Sequence, residues 1–156
     1  MLHVESEIAE PEQPTHIEWV ERRFQFDHVS FGYEPQNPVL RNVNFQVSTG
    51  QRVAIVGATG AGKTSLAGLL ARFYDVNEGH VLIDGVDVRE LSLDDLRRFV
   101  TVVPQNPYCF NGTVADNLRL FSPEITYEQM KEAARIACAD KFIDTLPGSY
   151  DFMLLP

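Results

Sequence analysis

One short stretch of the sequence has the residue types and the spacing of a phosphate-binding loop. It runs Gly-Ala-Thr-Gly-Ala-Gly-Lys-Thr over residues 57–64 and matches the pattern G-x-x-x-x-G-K-[ST]. Glycines let backbone N–H groups turn inward and approach an anion closely. A helix that begins directly after such a loop points the positive end of its dipole at the same anion. The stretch therefore predicts a site for the phosphate groups of a ligand.

The residues of this loop have separate predicted roles. Lys63 supplies a mobile positive charge for the outer phosphates, and Thr64 offers a hydroxyl to Mg²⁺, which prefers hard oxygen ligands. Ser65 supports the phosphate contacts, although packing at the start of the helix explains it nearly as well. A glycine-rich loop that only packs tightly is the alternative, and a chance match of this length is rare in 156 residues. The predicted phosphate-binding residues are Gly57, Thr59, Gly60, Ala61, Gly62, Lys63, Thr64 and Ser65.

A strand and a helix must hold this loop between them. Residues 52–57 read R-V-A-I-V-G, and such a short β-branched apolar run predicts a strand that is buried on both faces. Over residues 64–74, the apolar positions 66, 69, 70 and 73 have helical spacing. The loop is thus predicted to join a buried strand to an amphipathic helix.

The rest of the chain alternates strand and helix signals. Apolar residues alternate over 24–33 with one change of parity, which predicts a β-bulge or a break in the strand. Further strands are predicted over 39–47 and 100–103. Ser92 and Thr126 each begin a capping box, so a helix is predicted to start at each of them.

Asp84 allows two interpretations. The run Val-Leu-Ile-Asp at 81–84 resembles the apolar strand and aspartate that hold Mg²⁺ in nucleotide hydrolases. Asp84-Gly85 is also the strongest short hairpin signal in the sequence. The turn is the favoured interpretation, and it predicts a hairpin over residues 81–88.

The composition limits the classes of partner. The formal net charge is −9 over 156 residues, so a general nucleic-acid-coating role is not expected. No run reaches the roughly 18 apolar residues of a membrane span. The first ten residues are acidic and lack the basic start of a signal peptide. We therefore expect the chain on the cytosolic side, either free or as part of something larger.

Several further motifs, in a fixed order, carry a family resemblance. They are F-D-H-V-S-F-G-Y at 26–33, P-V-L-R-N-V-N-F at 38–45, G-H-V-L-I-D-G-V-D-V at 79–88 and V-V-P-Q-N-P-Y-C-F-N-G-T-V-A-D-N-L at 102–118. Together with the phosphate loop they resemble the nucleotide-binding domain of ATP-binding-cassette exporters.

The resemblance implies an α/β fold and a domain plan. The fold would be a P-loop nucleotide-hydrolase core with an antiparallel β subdomain and the start of a helical subdomain, hence incomplete. Residues 1–21 would be a linker from a preceding membrane domain, and residues 22–156 part of the nucleotide-binding domain. Within it, 22–112 would form the β and core part, and 113–156 the start of the helical subdomain.

The resemblance also implies roles for residues outside the loop, with ATP and Mg²⁺ as the bound groups. Tyr33 would stack on adenine; otherwise it is only the last alternating residue of a strand. Gln105 would contact Mg²⁺ and the attacking water as a catalytic residue; otherwise it is a loop glutamine facing solvent. Tyr108, Cys109 and Phe110 would lie at the groove that receives coupling helices of a transmembrane domain, or else form plain core.

The partners and the activity follow from the same resemblance. A second nucleotide-binding domain would close over the γ-phosphate, at the cytoplasmic face of the plasma membrane. The family's signature motif, Walker B aspartate, catalytic glutamate and H-loop histidine are not found in these 156 residues. We therefore expect this chain alone to bind MgATP and to hydrolyse it negligibly. We also expect Val53–Val56 to keep an unpaired edge and an uncovered apolar face.

Two other functions remain open at this point. The chain could be a short, non-catalytic nucleotide-binding or regulatory module, which only further sequence would distinguish. It could also belong to an unrelated kinase or GTPase with a phosphate loop, although no guanine-reading residues or acceptor site are recognisable. Nucleobase preference would distinguish this last class.

Overall fold

A computed structural model describes residues 8–17, 21, 23–34, 36–120 and 122–154. The chain divides into two compact units, Met1–Val102 and Val103–Pro156. The division falls ten residues before the boundary that the sequence suggests after residue 112. Each unit is described by itself.

The first unit is built on a four-stranded antiparallel sheet. Its strands are β1 (Phe24–Phe31), β2 (Leu40–Val47), β3 (Glu78–Ile83) and β4 (Val86–Asp87), in the spatial order β2-β1-β3-β4. The pairs Ile83↔Val86 and Leu82↔Asp87 close the hairpin on Asp84-Gly85, as predicted.

The change of parity in β1 is a real irregularity. The register of β1 shifts between Phe26 and Val29 against β2, and between Asp27 and Ser30 against β3. His28 has φ 50°, which is the left-handed region. A Cβ atom on Gly79 would clash with the backbone oxygens of Asp27 and His28, so the partner strand must carry glycine there.

Two helices belong to this unit, α1 (Lys63–Leu70) and α2 (Leu93–Phe99). The predicted helix over 64–74 is too long, because α1 ends in a Schellman motif. Arg72 has φ 52°; Phe73 N donates to Gly68 O over 2.8 Å, and Arg72 N to Leu69 O over 3.1 Å. Ser92 caps α2 by accepting a hydrogen bond from Asp95 N at 3.1 Å, and the helix begins where the sequence predicts.

The apolar core lies between the sheet and the two helices. Phe26 stacks on Phe45 with ring centroids 4.6 Å apart. Burying such side chains supplies the main driving force for this unit. The fully buried members are Val29, Leu69, Val81, Ile83, Leu91 and Leu96.

Two predicted strands do not form in the described part of the chain. Residues 52–57 have neither strand pairing nor burial, and Val56 is 87% exposed. Residues 100–103 likewise have no strand pairing. An apolar run becomes a strand only where a neighbouring strand supplies hydrogen bonds and a covering layer. No described strand lies beside either run, and Val53–Val56 keeps the uncovered apolar face that the sequence predicts.

Part of the predicted linker lies along the first unit. Thr15 N donates to Glu90 O over 2.7 Å and forms a parallel bridge with Leu91. Arg72 donates to Ala9 O over 2.9 Å. Ile17 packs against the core, and we call residues 8–17 the strap. Two further apolar residues of the predicted linker, Trp19 and Val20, lie outside the described residues.

The second unit consists of short helices and a two-stranded sheet. It contains β5 (Gly112–Thr113), α3 (Val114–Arg119), α4 (Tyr127–Ile136), α5 (Asp140–Thr145), a 3₁₀ turn (Ser149–Asp151) and β6 (Met153–Leu154). The predicted capping box of Thr126 and Gln129 is present, and Thr113 and Asp116 form another. Its core contains Val114, Ala115, Met130, Ala134, Ile143 and Tyr150. Within the described ranges, no helix is long and apolar enough to cross a membrane.

Candidate nucleotide-binding site

The phosphate loop has the backbone geometry that its glycines predict. Gly60 has φ 83° and Gly62 has φ 85°, both in the left-handed region that favours glycine. A Cβ atom on Gly62 would lie 2.6 Å from Leu40 Cδ2, whereas one on Gly60 would meet nothing within 4 Å. Gly62 therefore allows the close approach of the loop to β2, and Gly60 keeps the outer face of the loop open.

Lys63 folds its side chain back over the loop. Its ammonium donates to Gly57 O over 2.8 Å and to Ala58 O over 2.7 Å. These two contacts hold a positive charge beside the exposed loop. A bound phosphate could attract the ammonium because both of its partners are neutral carbonyls.

The start of α1 adds backbone donors to this site. The first helical bond in the turn runs from Leu66 N to Gly62 O at 3.0 Å. The N–H groups of Lys63, Thr64 and Ser65 therefore have no helical acceptor and carry the positive end of the helix dipole. Ala61 N donates to Ala58 O over 3.2 Å, so this predicted phosphate donor is used within the loop.

The two hydroxyl residues after Lys63 have different surroundings. Thr64 is exposed, as a metal-binding hydroxyl on the loop must be. Ser65 is buried, and its Oγ lies 3.0 Å from the Tyr33 hydroxyl in a hydrogen bond. Ser65 thus contacts the predicted base-stacking residue, a role that its position in the motif did not indicate.

Tyr33 lies beyond the last residue of β1, and its side chain is 56% exposed. Its ring meets Phe31 edge-on with centroids 5.0 Å apart. It meets Tyr74 edge-on at 5.1 Å. Tyr33 is therefore more than half exposed at the surface, which the strand interpretation did not require. Tyr74 was not identified from the sequence, since it fell at the end of a predicted helix.

The remaining predicted site residues lie in the second unit. Gln105 is exposed in a bend, and its catalytic and metal-binding role stays a prediction. Tyr108, Cys109 and Phe110 are all exposed, so the alternative that they form core is wrong. Tyr108 and Phe110 meet edge-on with centroids 5.2 Å apart.

Asp84 serves the hairpin turn. Its Oδ1 accepts a hydrogen bond from Arg23 N at 2.9 Å, and its own N–H donates to Arg23 O over 2.9 Å. No group of three or more His, Cys, Asp or Glu side chains among the described residues could hold a metal ion. A loop-bound Mg²⁺ would therefore depend on Thr64, on the phosphates and on other oxygen ligands. This fits the habit of Mg²⁺ to bind through one or two protein ligands.

Comparison with known proteins agrees with this geometry. The family model described as ABC transporter matches residues 40–150. A fatty acid ABC transporter ATP-binding/permease protein of Mycobacterium tuberculosis is 44% identical over 146 residues, which is 94% of this chain and 22% of that protein. A mitochondrial iron-sulfur clusters transporter, atm1, of Aspergillus fumigatus is 46% identical over 126 residues, 81% of this chain and 17% of that protein.

A solved structure shows the same fold. The structure of a bacterial Atm1-family ABC exporter with ATP bound superposes with a TM-score of 0.84 and 37% identity, over 97% of this chain and 26% of that one. The matched part is an ABC-type P-loop ATPase fold, and the chain belongs to the ABC transporter family. It spans about a fifth of the length of the curated relatives that it matches.

Proposed function

We propose that this chain is the MgATP-binding part of the ATPase domain of an ABC-type exporter, and that ATP binding and hydrolysis there drive transport across a membrane. The observation that carries the proposal is the loop at 57–64, where left-handed glycines, the Lys63 ammonium and the start of α1 converge. The similar bacterial Atm1-family exporter was solved with ATP bound. That similarity supports ATP as the nucleotide.

Each residue of the site has a defined task in this proposal. Backbone N–H groups at the start of α1 and the Lys63 ammonium hold the phosphates, and Thr64 offers its hydroxyl to Mg²⁺. Tyr33 presents its ring to the adenine. MgATP, when bound, supplies the phosphoryl group that is transferred to water. Gln105 would orient that water and sense the membrane part.

The proposal places the chain at the cytoplasmic face of a membrane, with two kinds of partner. A second nucleotide-binding domain would complete the ATP site. A transmembrane domain would contact the exposed surface at Tyr108, Cys109 and Phe110. The named relatives carry different cargoes, fatty acids in one and iron-sulfur clusters in another, so no cargo is transferred to this chain.

The test is nucleotide binding by the full-length protein in the presence of Mg²⁺. We expect saturable ATP binding that Lys63→Ala weakens by at least about tenfold, since hydrogen bonds to charged groups contribute roughly 1.5–3 kcal/mol. Lys141→Ala, which changes an exposed lysine of α5, is the matched control and should bind as the parent does.

The outcomes separate the competing functions. ATP hydrolysis that is lost in Lys63→Ala supports the exporter ATPase. Saturable ATP binding without hydrolysis by the full-length protein would support a non-catalytic module instead. A clear preference for GTP over ATP would overturn the proposal in favour of an unrelated P-loop class.

A further inference from the structure

A segment that follows α1 borders the candidate base site. Arg72 has φ 52°, and Phe73 N donates to Gly68 O over 2.8 Å, so the chain reverses at the end of the helix. A Cβ atom on Gly68 would lie 3.5 Å and 3.6 Å from two ring carbons of Tyr74, so the Tyr74 ring lies against this glycine. We call residues 72–77 the return segment.

The Tyr74 ring forms a cluster with two other aromatic rings. Its centroid lies 5.1 Å from that of Tyr33 and 5.7 Å from that of Phe31, and the Phe31 and Tyr33 centroids are 5.0 Å apart. Phe31 is only 3% exposed, whereas Tyr33 and Tyr74 are 56% and 43% exposed. Aromatic pairs at such distances attract each other beyond the effect of burial alone. Two exposed rings are therefore held by each other and by one buried ring.

Asn77, at the end of the return segment, holds the backbone next to Tyr33. Its side-chain oxygen Oδ1 accepts a hydrogen bond from Gly32 N at 2.7 Å, and its own N–H donates to Ser30 O over 3.1 Å. Gly32 directly precedes Tyr33 in the sequence. The return segment therefore fixes the chain that carries Tyr33 as well as the ring itself.

Contacts from two elements thus converge on Tyr33. The return segment packs against its ring, and Ser65 of α1 forms a hydrogen bond with its hydroxyl at 3.0 Å. Tyr74 and Asn77 are both exposed, so neither contact is explained by packing in the buried core. A side chain that is ordered before its ligand arrives has less conformational freedom to lose on binding. The return segment therefore prepares Tyr33 for a flat ligand.

We propose that Tyr74 and Asn77 are positioning residues for the base of ATP. They hold Tyr33 in the orientation in which its ring stacks on adenine, Tyr74 through the ring and Asn77 through the backbone at Gly32. They act on the affinity for the base and leave the contacts to the phosphates unchanged. The inference rests on the proposed binding of ATP at this site, and it adds two residues that the phosphate-loop motif does not contain.

The experiment is isothermal titration of the full-length protein with ATP in the presence of Mg²⁺. We expect Tyr74→Ala to weaken binding by about two- to tenfold, the equivalent of one aromatic pair. Tyr74→Phe keeps the ring and should keep the parent affinity. The matched control is Phe73→Ala, which removes a neighbouring ring that is 60% exposed and that, in the part of the chain the structure describes, does not contact Tyr33. It should also bind as the parent does.

A ligand without a base separates positioning from a general effect on the site. Inorganic tripolyphosphate carries phosphates alone, so Tyr74→Ala should leave its affinity unchanged, whereas Lys63→Ala should weaken both ligands. In a Tyr33→Ala background, Tyr74→Ala should cause no further loss of ATP affinity, because the ring that it positions is gone.

The same experiment tests Asn77. Asn77→Ala removes the acceptor of the Gly32 N–H and should weaken ATP binding by about two- to tenfold. Asn77→Asp keeps a side-chain oxygen at this position and should restore the affinity. Neither change should alter the affinity for tripolyphosphate.

Three results would overturn the inference while the proposed function stands. The first is parent-like ATP affinity in Tyr74→Ala or in Asn77→Ala. The second is an equal loss of ATP and tripolyphosphate affinity, which would show a general disturbance of the site. The third is a full further loss on adding Tyr74→Ala to Tyr33→Ala, which would show that Tyr74 acts without Tyr33. A parent protein that binds no ATP would overturn the proposed function and this inference together.

Discussion

The hydrogen bond between Tyr33 and Ser65 joins two parts of the candidate site that lie far apart in the sequence. One partner follows β1, and the other is the third residue of α1. The bond fixes the hydroxyl end of the tyrosine, while the rings of Phe31 and Tyr74 pack against its ring with centroids 5.0 Å and 5.1 Å away. Fixing an aromatic ring before its ligand arrives reduces the entropy that binding must overcome.

Tyr33 therefore has two separable contributions to nucleotide affinity. Tyr33→Ala removes the ring, and we expect ATP binding to weaken by about 1–3 kcal/mol, the range for stacking of a base on an aromatic side chain. Tyr33→Phe and Ser65→Ala each remove only the hydrogen bond and should weaken binding by about 0.5–1.5 kcal/mol. Fluorescence titration with a labelled ATP analogue measures all three variants.

The double variant Tyr33→Phe/Ser65→Ala provides the control. Because both changes remove the same bond, its loss should be close to that of either single variant. Additive losses would contradict the coupling, and unchanged affinity in Tyr33→Ala would return the residue to a purely structural role.

Asp87 is the other residue whose environment makes a definite prediction. It is buried, and burial alone would raise its pKa. Hydrogen bonds from the Arg89 side chain and backbone and from His80 outweigh burial and hold the pKa of Asp87 below its ordinary 3.8. His80 Nδ1 lies 2.7 Å from Asp87 Oδ2, and Arg89 Nε lies 2.9 Å from Oδ1. The charged carboxylate thus stabilises the junction of β3 and β4.

The lowered pKa sets the direction of the pH dependence. The contribution of Asp87 to the free energy of unfolding is fully present above the ordinary pKa of 3.8. It is lost as the pH falls through the lower pKa that Asp87 has in the folded protein. Asp87→Asn should lower the free energy of unfolding at pH 7 by about 1–3 kcal/mol and should flatten its dependence on pH below 4. Urea unfolding at pH 7 and pH 3 tests this. The control variant is Asp151→Asn, which changes an exposed aspartate. If the free energy of unfolding changed between pH 7 and pH 3 by the same amount in Asp151→Asn and in Asp87→Asn, the role of Asp87 would be contradicted.

At the scale of elements, the strap depends on contacts that leave no periodic pattern. Backbone groups of the strap make two of them: Thr15 N bonds to Glu90 O, and the carbonyl of Ala9 accepts from Arg72. Side chains of the strap make two others: Glu10 accepts from Leu93 N, and His16 bonds to Asp95. The Arg72 side chain is almost fully buried and also pairs with Asp75 at 3.1 Å. The same residue ends α1 with a left-handed backbone. Arg72 therefore couples the end of the phosphate-loop helix to the strap.

Arg72→Ala tests this coupling. It removes the side chain that donates to Ala9 O, so we expect the strap to detach more often. Alanine, like arginine, has a Cβ atom, so the cost of the left-handed backbone at position 72 does not change. Hydrogen exchange at Thr15 N–H should accelerate by at least about tenfold, the equivalent of a lost charged hydrogen bond. Arg97→Ala changes an exposed arginine of α2 and should leave this exchange rate unchanged. Equal acceleration in both variants would mean that Arg72 does not hold the strap.

The same elements show how far sequence reasoning extends. The phosphate loop, the Asp84-Gly85 turn and the helix caps at Ser92 and Thr126 were predicted because each depends on residues close in sequence. The prediction of a strand over 52–57 was wrong because a strand forms only beside neighbouring strands, which come from elsewhere in the chain. The end of α1 was missed because an arginine takes the left-handed position where glycine is usual.

At the scale of the whole molecule, an uncovered apolar face lies beside the phosphate loop. Val53, Ile55 and Val56 are 55%, 46% and 87% exposed, although their sequence is typical of a buried strand. Val53 and Ile55 also line an apolar cavity of about 180 Å³ together with Phe24, Phe45, Leu66 and Leu70. An unpaired apolar segment of this kind is a template for association between chains.

We therefore expect the 156-residue chain, produced by itself, to associate in a concentration-dependent way. Sedimentation velocity should show species larger than the 17.6 kDa monomer, and the double variant Val53→Thr/Val56→Lys should shift them toward the monomer. The matched control Val103→Thr changes an equally exposed valine in the second unit, where Val103 is 88% exposed, and should leave association unchanged. If the chain stayed monomeric at high concentration, the exposed apolar residues at 53–56 would not cause association, and the prediction would be wrong. Association reduced equally by both variants would show that general surface hydrophobicity, and not this segment, brings the chains together.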